Sequence, residues 1–260
     1  MKLVAEKPFL NKKIMYYHEL DSTNIEAQKL AKLGAAEGTV VVADRQTAGS
    51  GRMRRRWESP AGQGLWFSLL LRPTIAAADC AQLTLLSAVA VTQALRGLTG
   101  KNFNIKWPND IMLDGKKICG ILAEMELAAD GSVEYAVVGI GINIKMAAED
   151  FGIRLAATAT SLYLATGIVY EREQVLKAFW NEFVQLYSHW QQHGFAFIRQ
   201  NWLEYNCTLG HRVVIKDNDE EIYSGTAEAM DDYGSLLVRN AAGESISFNF
   251  GEISIRSCSG

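Results

Sequence analysis

Asp114-Gly115 stands between two runs of strand-forming residues, Ile105 to Leu113 and Lys117 to Glu124. Aspartate followed by glycine accepts positive φ at both central positions of a two-residue turn, and the twist of that turn matches the twist of the strands it joins. The chain is therefore predicted to reverse here as a β-hairpin, which commits it to a fold built on a sheet. Pro108 lies inside the first run and lacks the N–H that a ladder needs, so a bulge or a sheet edge is expected there.

Other segments extend the sheet and cover it. Ile14 to Leu20, Thr39 to Ala43, Leu65 to Leu71 and Val133 to Ile144 read as strands. Asp21 and Ser22 are expected to cap a helix that runs to about Leu33 and is stopped by Gly34. Cys80 to Leu98 forms a long apolar helix. Glu171 to His193 forms an amphipathic one, with Val175, Phe179, Phe183, Leu186 and Trp190 on one side, and a further helix ends near Asn206. After Cys207 the texture changes to short strands between turn residues: Arg212 to Lys216, Ile222 to Ala229, Ser235 to Val238 and Ser245 to Phe248. That pattern suits a small β-barrel. The boundary near residue 208 is a change of composition and not a linker, so two units, 1–207 and 208–260, are expected to pack together.

A formal net charge of −3 over 260 residues gives no reason to expect a nucleic-acid or membrane-surface protein. There is no signal peptide and no run of about 20 apolar residues, so the cytoplasm is the expected location and no membrane is involved. Cys80, Cys119, Cys207 and Cys258 lie far apart with no Cys-x-x-Cys pair, which reads as free thiols and not as a zinc or redox site.

Four arginines, Arg52, Arg54, Arg55 and Arg56, follow Gly49-Ser50-Gly51 and precede Trp57, in a loop from Gln46 to Pro60. Like charges this close repel unless an anion or solvent relieves them. Glycine lets backbone approach a ligand, and arginine presents a planar fork to phosphate or carboxylate. Such a loop can close over a polyanion; a solvated basic loop is the plain alternative. Lys106-Trp107-Pro108-Asn109-Asp110 forms a second group, and the hairpin brings it beside Lys117. Lys106 and Lys117 can then flank one site, with Asp110 holding a metal or orienting a lysine, while Lys116 reads as an ordinary exposed lysine. Gly139-Ile140-Gly141-Ile142-Asn143 places two glycines in an apolar strand, which signals close approach by a ligand or by other backbone. Ser22-Thr23-Asn24 at a helix start is, by itself, a cap. His189 and His193 read as polar-face residues of a helix and not as metal ligands.

Taken together and in order, these segments resemble biotin protein ligases, over nearly the whole chain from Ile14 to Arg256. The resemblance rests on Ser-Thr-Asn, Gln46 before the Gly-x-Gly-Arg loop, Lys-Trp-Pro-Asn-Asp, Lys-Ile-Cys-Gly-Ile-Leu, Gly-Ile-Asn and the ending Gly251 to Arg256. It implies an α+β fold, a mixed sheet with helices related to class II aminoacyl-tRNA synthetases, followed by a small SH3-like barrel. It implies ATP and biotin as substrates, Mg²⁺, a biotin carboxyl carrier domain as partner, and a possible homodimer. Many members carry an N-terminal DNA-binding domain; here the catalytic segments begin near Ser22, so the monofunctional type without DNA binding is expected.

Residue by residue, the resemblance places Ser22, Thr23, Asn24 and Gln46 at the biotin ring. It places Ser50, Gly51 and Arg52 in the loop over biotin and the α-phosphate. Lys117 meets the biotin carboxylate and the phosphate; Arg55, Trp57, Lys106, Asn109 and Asn143 go to the nucleotide or adenylate. Arg52, Lys117 and Asp110 form the catalytic group, with Asp110 also the candidate for Mg²⁺. Glu252 and Arg256 match C-terminal residues that communicate with the nucleotide site. Ser50 stands where the family usually has arginine, and Arg54 where glycine or a small residue is common. A lipoate or octanoate ligase, a nucleic-acid-binding module and an inactive biotin binder are the competing readings.

Overall fold

The computed structural model describes residues 3–9, 12–217, 220–249 and 254–257, with backbone alone for 3–9, 12, 154 and 254–257. In chain order the elements are β1 (Leu3–Phe9), β2 (Lys12–Leu20), α1 (Thr23–Lys32), β3 (Val40–Gln46), β4 (Gly64–Leu71), α2 (Gln82–Thr99), β5 (Asn104–Lys106), β6 (Asp110–Leu113), β7 (Lys116–Leu127) and β8 (Val133–Asn143). Then come α3 (Gly152–Leu155), α4 (Leu162–Thr166), α5 (Arg172–His193), α6 (Ala196–Tyr205), β9 (Arg212–Asp217), β10 (Glu220–Met230), β11 (Leu236–Arg239), β12 (Ser245–Phe248) and β13 (Ser254–Ser257).

The first eight strands form one sheet in the order β1-β2-β3-β4-β8-β7-β6-β5. Only β2 and β3 run parallel, and α1 is the crossover that a parallel pair requires. The sheet is therefore mixed, as expected. Its two faces differ. Leu65, Phe67, Leu69, Val138, Ile140 and Ile142 pack into a large core with α2, α5 and α6. The opposite face carries α1 through Tyr17, Ala27, Ala31, Val41, Leu70 and Val137. Alternation along each strand assigns every residue to one face or the other. The last five strands form a separate antiparallel sheet, ordered β12-β11-β10-β9-β13.

The stretch Ala77–Thr99 is long and apolar enough to cross a membrane, contrary to expectation, yet 78% of that window is buried within the fold. Its composition is that of a core helix closed in by the sheet and by α5. On α5 the expected face is buried, together with Leu176, Trp180 and Tyr187. Each such fully buried side chain contributes about 1.5–3 kcal/mol.

Several expectations need correction. The run Ile105 to Leu113 is two strands, with Trp107-Pro108-Asn109 as a turn between them; Pro108 has a cis peptide bond, and β5 is the sheet edge. The Asn109 amide donates to the Ile121 carbonyl at 2.8 Å, so the turn is pinned to β7. Ser22 occupies the position before α1 without a side-chain capping bond, and Asp21 instead accepts from the Thr47 hydroxyl at 2.8 Å. Strands β1 and β13 and helices α3 and α4 were not read from the sequence. Gly251, Glu252 and Cys258 lie outside the described residues, and Arg256 falls in β13.

The two sheets meet at the Trp-Pro turn. The Trp107 indole donates to the Gly234 carbonyl at 3.0 Å, and its backbone N–H donates to the Thr208 hydroxyl at 2.8 Å. A side chain at Gly234 would lie 2.6 Å from Leu85 Cδ1, so only glycine lets the β10–β11 turn sit this close.

Candidate active site

The strand registers place one row of residues across the α1 face of the sheet. Lys106 pairs with Asp110, Asp110 with Gly120, Gly120 with Gly141, Gly141 with Trp66, and Trp66 with Ala43. In the next row Leu122, Gly139 and Ser68 are neighbours. The three glycines make a trough in the sheet surface, and its occupants explain why side chains are excluded. A Cβ on Gly139 would stand 2.1 Å from Asn24 Oδ1, and one on Gly141 2.4 Å from Trp57 Nε1. The close approach expected at Gly139 and Gly141 is thus by Asn24 of α1 and Trp57 of the arginine loop. Gly120, below Trp57 and the Lys117 side chain, completes it.

A polar group lines one side of the trough. Gln46 Oε1 accepts from the Thr23 backbone N–H at 2.8 Å and lies 3.1 Å from the Thr23 hydroxyl, while Gln46 Nε2 donates to Ser59 Oγ at 2.8 Å. Ser68 Oγ lies 2.7 Å from Thr23 Oγ1 and 2.5 Å from Asn24 Oδ1. Thr23, Asn24 and Ser68 are all buried. Thr23 and Asn24, in the first turn of α1, therefore point onto the sheet, while Ser22 is buried just before them. Ser68 and Ser59 escaped the sequence reading, although Ser68 is the one hydroxyl in the otherwise apolar strand β4.

The charged group lies across from this. Lys117 Nζ is 2.5 Å from Asp110 Oδ1, and that oxygen is buried with no hydrogen-bond partner besides this ion pair. Lys117 also sits over the Trp57 ring, 5.2 Å from its centroid. Burial lowers the pKa of Arg52, with the Asp110 charge opposing that effect and the Arg55 charge adding to it. Arg52, Lys117 and Asp110 are thus gathered at one place, and Lys106 stands in the same row as Asp110. Asn143, at the end of β8, is buried and donates to the Thr160 carbonyl at 3.0 Å. Cys119 is fully buried, and desolvation pushes its thiol well above the ordinary range despite Lys117, so it is no nucleophile.

The arginine loop is a small closed structure. Gly51 N–H donates to the Arg55 carbonyl at 2.7 Å, Trp57 N–H to the Gly49 carbonyl at 2.9 Å, and Ser50 bridges Arg56. Trp57 is carried inward to Trp66, edge to face with centroids 6.4 Å apart, and its buried indole N–H has no partner. Ser50 is exposed, and its backbone bridges to Arg56. Arg54 is a different matter. Met53 and Arg54 have φ of 55° and 54°, a left-handed conformation that costs an L residue about 1–2 kcal/mol. Glycine at Arg54 would relieve that. Arg54→Gly is expected to favour this loop conformation by about 1 kcal/mol, slowing cleavage between residues 49 and 57 by a non-specific protease about fivefold. Cleavage at the wild-type rate would show that the loop is unstrained.

Among the described residues no three His, Cys, Asp or Glu side chains are grouped as a metal site. Asp110 faces an ammonium, which would repel a cation. Of the two roles open to Asp110, the geometry fits orienting Lys117 and does not fit a Mg²⁺ ion held by the protein.

The fold and the site together define an acid-activating ligase: cations converging on a glycine trough beside a buried cluster of polar side chains. The family model described as "Biotin/lipoate A/B protein ligase family" matches residues 17–143, and that described as "Biotin protein ligase C terminal domain" matches residues 208–256. The chain is 42% identical over 230 residues to the bifunctional ligase/repressor BirA of Bacillus subtilis, covering 88% of this chain and 70% of that protein. It is 36% identical to the biotin–[acetyl-CoA-carboxylase] ligase of Paracoccus denitrificans, covering 87% of this chain and 94% of that one. Among solved structures, the Aquifex aeolicus biotin protein ligase in complex with biotin and ATP superposes with a TM-score of 0.79 at 30% identity, over 94% of this chain and 98% of that chain. The chain belongs to the biotin protein ligase family.

Proposed function

We propose that this chain activates biotin with ATP to give biotinyl-5′-AMP and pyrophosphate, then transfers biotin to a lysine of a carrier domain. The observation that carries this reading is the convergence of Arg52, Lys117 and Asp110 on the glycine trough, next to the Thr23, Asn24 and Gln46 pocket.

In the first step a carboxylate oxygen of biotin bonds to the α-phosphorus and the bond to pyrophosphate breaks. Both partners are anions. Arg52 and Lys117 offset their repulsion and stabilise the charge that builds at the phosphorus. Asp110 holds Lys117 in place through the 2.5 Å ion pair. The mixed anhydride that results is prone to hydrolysis, and the arginine loop with Trp57 keeps water from it. In the second step the neutral lysine amine of the carrier attacks the acyl carbon, the C–N bond forms and AMP leaves with the C–O electron pair. Asp110 is the carboxylate placed to take the amine's proton. Any Mg²⁺ would come in on the nucleotide's phosphates, as is usual for that ion.

The carrier is a biotin carboxyl carrier domain of a carboxylase, in keeping with the name of the Paracoccus relative. The five antiparallel C-terminal strands suit an SH3-like barrel, and the enzyme works in the cytoplasm. The protein mixed with ATP, Mg²⁺ and either biotin or lipoate should yield biotinyl-adenylate and no lipoyl-adenylate by mass spectrometry. A lipoyl product alone would make this a lipoate ligase.

A further inference from the structure

Glu124 lies on β7, two residues beyond Leu122 on the trough face, and neither the motifs nor the family resemblance assigns it a role. Its carboxylate accepts from Asn24 Nδ2 at 2.7 Å and from Gln28 Nε2 at 3.2 Å, and the Leu122 carbonyl lies 3.3 Å from Asn24 Nδ2. A carboxylate and a carbonyl only accept. The Asn24 amide therefore has one orientation, nitrogen toward β7 and oxygen toward Ser68.

That choice propagates. Ser68 Oγ lies 2.5 Å from Asn24 Oδ1 and 2.7 Å from Thr23 Oγ1, and it has a single proton. Asn24 Oδ1 cannot donate, so the Ser68 proton goes to it. Ser68 then accepts from the Thr23 hydroxyl. Gln46 Oε1, at 3.1 Å, is the more distant of the two acceptors open to the Thr23 proton. Donation runs from Thr23 to Ser68 to Asn24 to Glu124. The Thr23 proton is turned toward the sheet, and its lone pairs are left for a donor.

We propose that Glu124 is a positioning residue that sets the donor and acceptor polarity of the acid-binding pocket, and through Thr23 selects an acid whose ring offers N–H groups. The cyclic urea of biotin has such N–H groups; the dithiolane of lipoate has none. A site built to accept a donor discriminates against a ligand that lacks it, because the buried acceptor is left unpaired. This rests on the reading of the site as a biotin pocket.

Glu124→Gln keeps the size and replaces the nearer obligatory acceptor, at 2.7 Å, with a group that also donates, so only the longer Leu122 contact at 3.3 Å still orients Asn24 and the direction of the chain is weakened. Residue 124 is exposed, so the substitution leaves the buried core untouched, and the melting temperature checks this. Adenylate formation is measured in wild type, Glu124→Gln, Thr23→Val and the double variant, with Ser68→Ala as a second interruption of the chain. Expected for Glu124→Gln is a KM for biotin about tenfold higher, with KM for ATP and kcat within about twofold of wild type. In the Thr23→Val or Ser68→Ala background Glu124→Gln should add nothing. If wild type makes no adenylate from biotin, the functional reading fails. If wild type makes it, a biotin KM unchanged by Glu124→Gln, an equal rise in KM for ATP, or the same tenfold effect in the Thr23→Val background overturns the role of Glu124.

Discussion

Lys117→Ala is expected to slow biotinyl-adenylate formation by about 100- to 1000-fold, the range found when a single well-aimed charge stabiliser is removed from an acyl or phosphoryl transfer site. Lys117 is held by Asp110 at 2.5 Å and seated over Trp57, so its ammonium is fixed before substrate arrives and needs no reorganisation during the reaction. Substitution also leaves the Asp110 carboxylate without the ammonium 2.5 Å from it, a cost to folding that is separate from catalysis. The two effects can be parted. Adding Asp110→Asn to Lys117→Ala removes the orphaned charge, so the double variant should recover the melting temperature while activation stays slow. Single-turnover adenylate formation from ATP and biotin, read without carrier, isolates the step. Wild-type activation in Lys117→Ala would remove this lysine from the chemistry.

How far the site could be read from sequence depended on the range of the interaction concerned. The Asp114-Gly115 hairpin was legible because turn geometry is local: two φ angles decide it. Pro108 marked a bulge or a sheet edge, and the edge is there, but the turn that splits the run in two depends on Asn109 reaching the Ile121 carbonyl on β7, a contact across strands. Ser22-Thr23-Asn24 looked like a cap because capping and ligand recognition call on the same short polar side chains. Ser68 is what separates the two, and it sits in β4, 45 and 44 positions from Thr23 and Asn24. Gly139 and Gly141 announced close approach, but a missing side chain names no visitor; Asn24 and Trp57 arrive from other elements. Glu124 gave no signal, since a glutamate near the end of a strand with an exposed face is ordinary. Strand β13 is a short outer element whose partner, β9, lies far back along the chain, whereas β1 pairs with β2, its immediate neighbour in sequence.

Arg52→Ala should act on a different stage. It is expected to slow activation about tenfold and to raise the escape of finished adenylate about 100-fold, so that free biotinyl-adenylate collects outside the protein. Arg52 and Lys117 around the single carboxylate of Asp110 leave a formal net charge of +1, the complement of the one negative charge on the adenylate phosphate. Without Arg52 that surplus is gone, and the remaining cation is the one Asp110 already neutralises. Arg52 also belongs to the loop that delivers Trp57 to the trough, so an anion bound to Arg52 ties the loop down and the loop in turn keeps the anion in. Passing a carrier-free reaction through a filter that retains protein separates bound from released adenylate. If coulombic attraction holds the intermediate, raising salt should speed release from wild type and change Arg52→Ala little. Retention by Arg52→Ala equal to wild type would mean that closure of the loop, and not the charge it carries, keeps the adenylate in place.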